Sequence, residues 1–155
     1  MDELRNRIPD YAKDLRLNLS SVLTPLGARG LCPAQLWMTA LASAIAARNP
    51  ELIRSIESMA AGTLGPAEAE AARAAAAIMG MNNVYYRFLH LVEDDEYAKL
   101  PARLRMNVLG SPGVARTDFE LVSLAVSAVN GCGMCLASHE RVLRQHEVPR
   151  EAVQS

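Results

Sequence analysis

Long apolar runs are missing from this chain. Even the mostly apolar stretch from Leu121 to Val129 is broken by Ser123 and Ser127, and a membrane-spanning helix needs about 18 or more unbroken apolar residues. An excess of basic charge is missing too: 16 Lys and Arg stand against 17 Asp and Glu, for a net charge of -1. That balance leaves no footprint for nucleic acid or anionic lipid. The start, Met1-Asp-Glu-Leu-Arg-Asn-Arg, lacks the apolar run of a signal peptide, so a cytoplasmic location is expected. With 3 cysteines in 155 residues the chain is no disulfide scaffold. A close cysteine pair in a reducing compartment points to catalysis or metal binding rather than to a structural staple.

Strand signals are scarce as well. β-Branched residues are few, and no alternating apolar run is long enough for a strand. A thioredoxin-like βαβ arrangement is therefore excluded. Half of the residues are apolar and about a fifth charged, as in an ordinary globular protein, so residues 1–155 read as a single domain able to bury its own core. Abundant alanine, with proline and glycine at punctuation points, makes the expected fold all-α. Helices are predicted to start at Cys32-Pro33, Asn49-Pro50 and Gly65-Pro66, the last running uninterrupted toward Val92. Asp94 to Tyr97 reads as an acidic break, and Gly110-Ser-Pro-Gly113 as a turn before a helix beginning near Thr117. Trp37, Met38, Leu41 and Ile45 form a core stripe.

An internal echo suggests a repeat. Ala42-Ser43-Ala44-Ile45 resembles Val126-Ser127-Ala128-Val129 at an offset of 84 residues. Two related helical units are expected, the first over about 30–92 and the second over about 114–155. This offset sets Arg48, Glu51 and Ser55 opposite Cys132, Cys135 and His139, so the first unit is scaffold. The counterpart of the long helix after Pro66 would begin close to Pro149 and run past Ser155, so the second unit is expected to lack its last helix.

The chemistry is concentrated in Asn130-Gly-Cys-Gly-Met-Cys-Leu-Ala-Ser-His139. At roughly 100° per residue, a helix from Cys132 onward holds Cys132, Cys135 and His139 within a sector of about 60°. A free thiol is mostly protonated near neutral pH, so activation is the physical question. Asn130-Gly131 can end one helix and leave Cys132 at the N-terminus of the next. Cys135 and His139 stand at i and i+4, the spacing at which a base takes a thiol proton. Cys135 is then the attacking thiolate, and Cys132 the thiol that resolves a sulfenic acid into a disulfide.

Other readings use the same atoms. Zinc would draw on Cys132, Cys135, His139 and either His146 or Glu120, as in a zinc-binding interaction module. A pair of buried thiols with no reactivity is the plainest alternative. A c-type haem is excluded, because Leu136 rather than histidine follows the second cysteine. Thr117-Asp-Phe-Glu120 fits a capping box, which would leave Glu120 satisfying a backbone donor. His90 reads as a partner of a helix C-terminus, His146 as a surface residue and Cys32 as structural.

Taken together, Glu120, Cys132, Cys135 and His139 form Glu-x11-Cys-x2-Cys-x3-His, which resembles the signature of the AhpD family of alkyl hydroperoxidases. Tyr11-Ala-Lys-Asp14, Leu17-Asn-Leu-Ser20, Ile78-Met-Gly-Met-Asn-Asn-Val84 and Phe119-Glu-Leu121 extend the likeness over nearly the whole chain. The resemblance implies an all-α, carboxymuconolactone decarboxylase-like fold, usually a homotrimer, whose dithiol regenerates the peroxiredoxin AhpC and has weak peroxidase activity. It implies electrons from dihydrolipoamide on an acyltransferase, recharged by lipoamide dehydrogenase and NADH, and no bound flavin or metal. By carry-over, Cys135 is the sulfenic-acid intermediate and the sulfur joined to AhpC. Cys132 is proton donor and disulfide partner, and His139 and Glu120 form the proton relay. Some relatives carry histidine where this chain has Met134, and the family's chain usually continues through another helix beyond Ser155. Without that helix, apolar surface is expected on the second unit, and a weaker trimer. A decarboxylase or isomerase of the wider superfamily, acting on a lactone, is the remaining alternative.

Overall fold

The computed structural model describes residues 2–155. Helices account for all regular structure among them, with no strand. A short α1 (Asp2–Asn6) and α2 (Lys13–Val22) precede α3 (Pro33–Ala46), α4 (Pro50–Ala60) and the long α5 (Pro66–Leu91). Then come α6 (Asp95–Ala98), α7 (Arg116–Val129), α8 (Gly133–Gln145) and α9 (Arg150–Gln154), with single 3-10 turns at Asp10–Ala12 and Asn107–Gly110. Neither α1 nor α2 was anticipated, because α1 holds a single apolar residue and Leu15, Leu17 and Leu19 of α2 alternate instead of following the helical period. The acidic segment expected as a break instead winds into α6, since Asp94 Oδ1 accepts the N–H of Glu96 at 3.0 Å and caps a first turn.

Proline starts three of these helices. Pro33, Pro50 and Pro66 each stand at the first helical position, where their missing N–H costs nothing. Asn49 adds a side-chain cap to α4, its Oδ1 accepting from the N–H groups of Glu51 and Leu52 at 3.0 and 3.1 Å. Cys32 is an exposed N-cap of α3, so its place is structural but not in the core. Gln35 ties that helix start to α7: its Oε1 accepts the Cys32 N–H at 2.9 Å, and its Nε2 donates to Asp118 at 2.7 Å.

The core lies where α3, α5 and α7 meet. Ala71, Ala72, Ala75 and Ala76 of α5 are buried, and their small side chains let the 26-residue helix approach Met38, Leu41 and Ala42 of α3 closely. Phe119, Val122 and Val126 of α7 close the cluster, and Met79 ends it at the α8 side. Trp37 and Ile45 of the anticipated stripe pack against it from its edge.

The two helical units correspond at 83 residues rather than at 84. α3 and α7 each span 14 residues, from Pro33 and Arg116. Gly30 and Gly113 share φ values of 79° and 78°, and Arg48 and Gly131 values of 59° and 68°. Asn49 therefore faces Cys132 across the repeat, each an N-cap whose side chain accepts from the following turn. Leu52 and Ile56 take the places of Cys135 and His139. The similar four-residue strings misled by one position because small apolar residues fit either register. Further on, α9 begins 84 residues after α5. Beside it an apolar cavity of about 530 Å³ runs between α2, α3 and α7.

The turn from α7 to α8 matters most for the site. The N–H of Cys132 bonds the carbonyl of Ser127 at 3.0 Å and that of Gly131 bonds Ala128 at 3.1 Å, which is the paired pattern that closes a helix through a left-handed residue. Gly131 supplies that residue at φ 68°, so Cys132 both completes the end of α7 and caps the start of α8. Gly131→Ala is expected to cost about 1–2 kcal/mol and to lower Tm by about 2–8 °C. An unchanged melting curve would show that the left-handed turn is not a constraint.

Candidate functional site

The constellation comes from two helices packed side by side. Cys132 stands at the N-cap of α8, Cys135 in its first turn and His139 one turn further, while Glu120 projects from α7. Cys132 and Cys135 are joined as a disulfide with Cα atoms 5.3 Å apart. Cys132 is 0% exposed and Cys135 6%. The N–H of Cys135 also points at Cys132 Sγ, at 3.3 Å. A backbone donor and a helix N-terminus both favour negative charge on that sulfur.

Glu120 is not a cap. α7 begins one residue before Thr117, with Ala115 as N-cap and no side-chain bond there. Its Oε2 instead meets His139 Nδ1 at 2.7 Å, both side chains being mostly shielded, and its Oε1 stands 3.7 Å from the exposed Arg116. The other ring nitrogen, Nε2, meets Met79 Sδ at 3.3 Å. A thioether accepts and never donates, so this contact is a hydrogen bond when Nε2 carries the hydrogen. The imidazole is thus held through Nδ1 by Glu120, one turn from Cys135, and its Nε2 bonds Met79 only when protonated.

A cavity of about 320 Å³ opens on this group. Met79, Asn82 and Tyr86 of α5 form one wall, Met106 and Leu109 a second, and Met134, Cys135, Ser138 and His139 of α8 the third. Cys135 is the one sulfur of the pair that lines it. Met134, between the cysteines, is half-exposed at the rim and has no polar contact among the described residues.

Several residues that hold the site were not singled out from sequence. Asn83 Nδ2 donates to Ser127 Oγ at 2.9 Å, and Asn130 Nδ2 donates to Asn83 Oδ1 at 2.9 Å. Arg87 then donates to the carbonyl of Asn130 at 2.7 Å. These bonds fasten α5 to the turn that presents Cys132. The available signal was a pair of asparagines, poor helix formers, in the middle of an alanine-rich helix. The remaining candidates lie elsewhere: His90 is exposed near the end of α5, and His146 is the exposed C-cap of α8. No group of three or more His, Cys, Asp or Glu is placed to hold a metal among the described residues.

The model of the carboxymuconolactone decarboxylase family matches residues 95–155 of this all-helical frame, the part that holds the buried Cys-x-x-Cys pair. Relatives narrow the class. The alkyl hydroperoxide reductase AhpD of Streptomyces avermitilis is 58% identical over 154 residues, covering 99% of this chain and 85% of the relative. Those of Gluconacetobacter diazotrophicus and Brucella suis are 56% and 52% identical over 155 residues, covering 83% and 87% of the relatives. The chain belongs to the AhpD family.

The polar clamp is testable on its own. Asn83→Leu strands the buried Ser127 hydroxyl and the Asn130 amide, and should cost about 2–4 kcal/mol. Urea unfolding measures this; a loss below about 0.5 kcal/mol, the range of an ordinary surface substitution, would show that the clamp does not hold the turn.

Proposed function

We propose that this protein is an antioxidant dithiol oxidoreductase that reduces alkyl hydroperoxides and regenerates the peroxiredoxin AhpC with electrons from dihydrolipoamide. The observation that carries the reading is the Cys132–Cys135 pair, buried in the protein and reachable through Cys135 from a cavity shared with His139. The names of the relatives support the substrate.

In the reduced state His139, held by Glu120, accepts the proton of Cys135. The thiolate attacks the terminal oxygen of the hydroperoxide, the O–O bond breaks, and the departing alkoxide takes a proton from Cys132 to leave as alcohol. Cys135 is now a sulfenic acid. The Cys132 thiolate attacks its sulfur, the leaving hydroxide takes the proton held by His139 and departs as water, and the disulfide forms. AhpC is served by the same dithiol: Cys135 attacks its disulfide, and Cys132 resolves the mixed disulfide.

Recharging follows from the unequal sulfurs. A dihydrolipoamide thiolate entering the cavity attacks Cys135, and Cys132 departs as thiolate into its N-cap position, where the Cys135 N–H receives it. The second lipoyl thiol then attacks the mixed disulfide, releasing oxidised lipoamide and the reduced dithiol. The lipoyl group belongs to an acyltransferase, and lipoamide dehydrogenase with NADH recharges it. No cofactor or metal is held by the chain, the working form is a homotrimer and the location is cytoplasmic. No helix of the described residues is long and apolar enough to cross a membrane.

Reduced protein mixed with cumene hydroperoxide should convert to the Cys132–Cys135 disulfide, read by mass spectrometry after alkylation of free thiols. Two persistent free thiols would refute the peroxidase reading. His139→Ala should lower the rate by about 100-fold or more, and an unimpaired variant would remove the histidine from the relay.

A further inference from the structure

Asn82 is the one amide in the cavity beside Cys135, and only half of it is used. The side chain is 4% exposed, on the α5 wall. Its Nδ2 donates to Met106 Sδ at 3.2 Å. Because a thioether offers no hydrogen, that contact fixes which way the amide points. Its Oδ1 is buried and has no hydrogen-bond partner among the described residues. Such an acceptor costs free energy unless a ligand or solvent donor meets it. Thioethers and apolar side chains of Met79, Met106, Leu109 and Met134 line much of the cavity around it, and Tyr86, Ser138 and His139 add polar groups.

From this placement we infer that Asn82 is a substrate-binding residue: its Oδ1 accepts the O–H of an alkyl hydroperoxide whose hydrocarbon part lies against the methionines. The inference rests on the peroxidase reading and adds the residue that orients the peroxide. A hydroperoxide R–O–O–H carries its hydrogen on the terminal oxygen, the atom that Cys135 attacks. An acceptor in the wall of the same cavity therefore turns that atom inward and leaves the R group on the apolar side. A dithiol such as 1,3-propanedithiol has no O–H, so its reduction of the disulfide does not draw on this contact. Asn82 is thus a specificity residue for the oxidant half of the cycle alone.

Two measurements test it on the full chain. In single-turnover reactions, Asn82→Leu should slow the reaction with cumene hydroperoxide about 10-fold more than it slows reduction of the Cys132–Cys135 disulfide by 1,3-propanedithiol. Equal peroxide rates, or an equal slowing of both half-reactions, would overturn the assignment. The wild-type protein supplies an arm that does not depend on the variant folding: cumyl alcohol, which keeps the O–H donor, should slow the peroxide reaction, and cumyl methyl ether, which lacks it, should not. The same effect from both, or from neither, also overturns it. A wild-type dithiol that ignores cumene hydroperoxide altogether removes the peroxidase reading and this inference together, whereas reactive wild-type protein with an indifferent Asn82→Leu removes only the inference.

Discussion

Everything at the site hangs on one turn. Gly131 at φ 68° lets α7 stop and α8 start within three residues, and the same turn places Cys132 under the first N–H groups of α8. From that geometry the two sulfurs become different. Cys132 is sealed in and receives a backbone donor, and Cys135 faces the cavity. A pair with equal access would have no fixed order of attack. In the proposed mechanism that order is set by backbone conformation, with the asparagine clamp from α5 holding the turn against the body of the protein.

The repeat shows how little of this chemistry the fold itself demands. At Arg48 and Asn49 the first unit makes an equivalent turn, with a left-handed residue followed by a side-chain N-cap. Where α8 carries Cys135 and His139, α4 carries Leu52 and Ile56, and α3 has Trp37 in the place of Glu120. The first unit spends these positions on packing. The scaffold supplies a sharp helix-to-helix turn in both halves, and four side chains at one of them carry the proposed redox chemistry.

The all-α class was legible because alanine content and proline punctuation act locally. Pro33, Pro50 and Pro66 marked helix starts to the residue. The relative placement of Cys132, Cys135 and His139 was legible for the same reason, since helical spacing needs no tertiary information. Glu120 was different. From spacing alone it read as the end of a capping box, and only the packing of α7 on α8 decides that its carboxylate meets His139. Met79, Asn82 and Met106 were illegible as site residues because their neighbours come from segments tens of residues away. The repeat register failed by one because Ser, Ala and Val are interchangeable in a small-residue helix face; the left-handed residues fix it, and φ is invisible at Arg48.

The central claim is that Cys135 is the sulfur that meets the partner and Cys132 the one that leaves. Oxidised wild-type protein treated briefly with a monothiol such as glutathione, then acid-quenched and mapped by peptide mass spectrometry, tests it directly. Glutathione should be found on Cys135, with Cys132 recovered as a free thiol. Attachment at Cys132 with Cys135 free would contradict it.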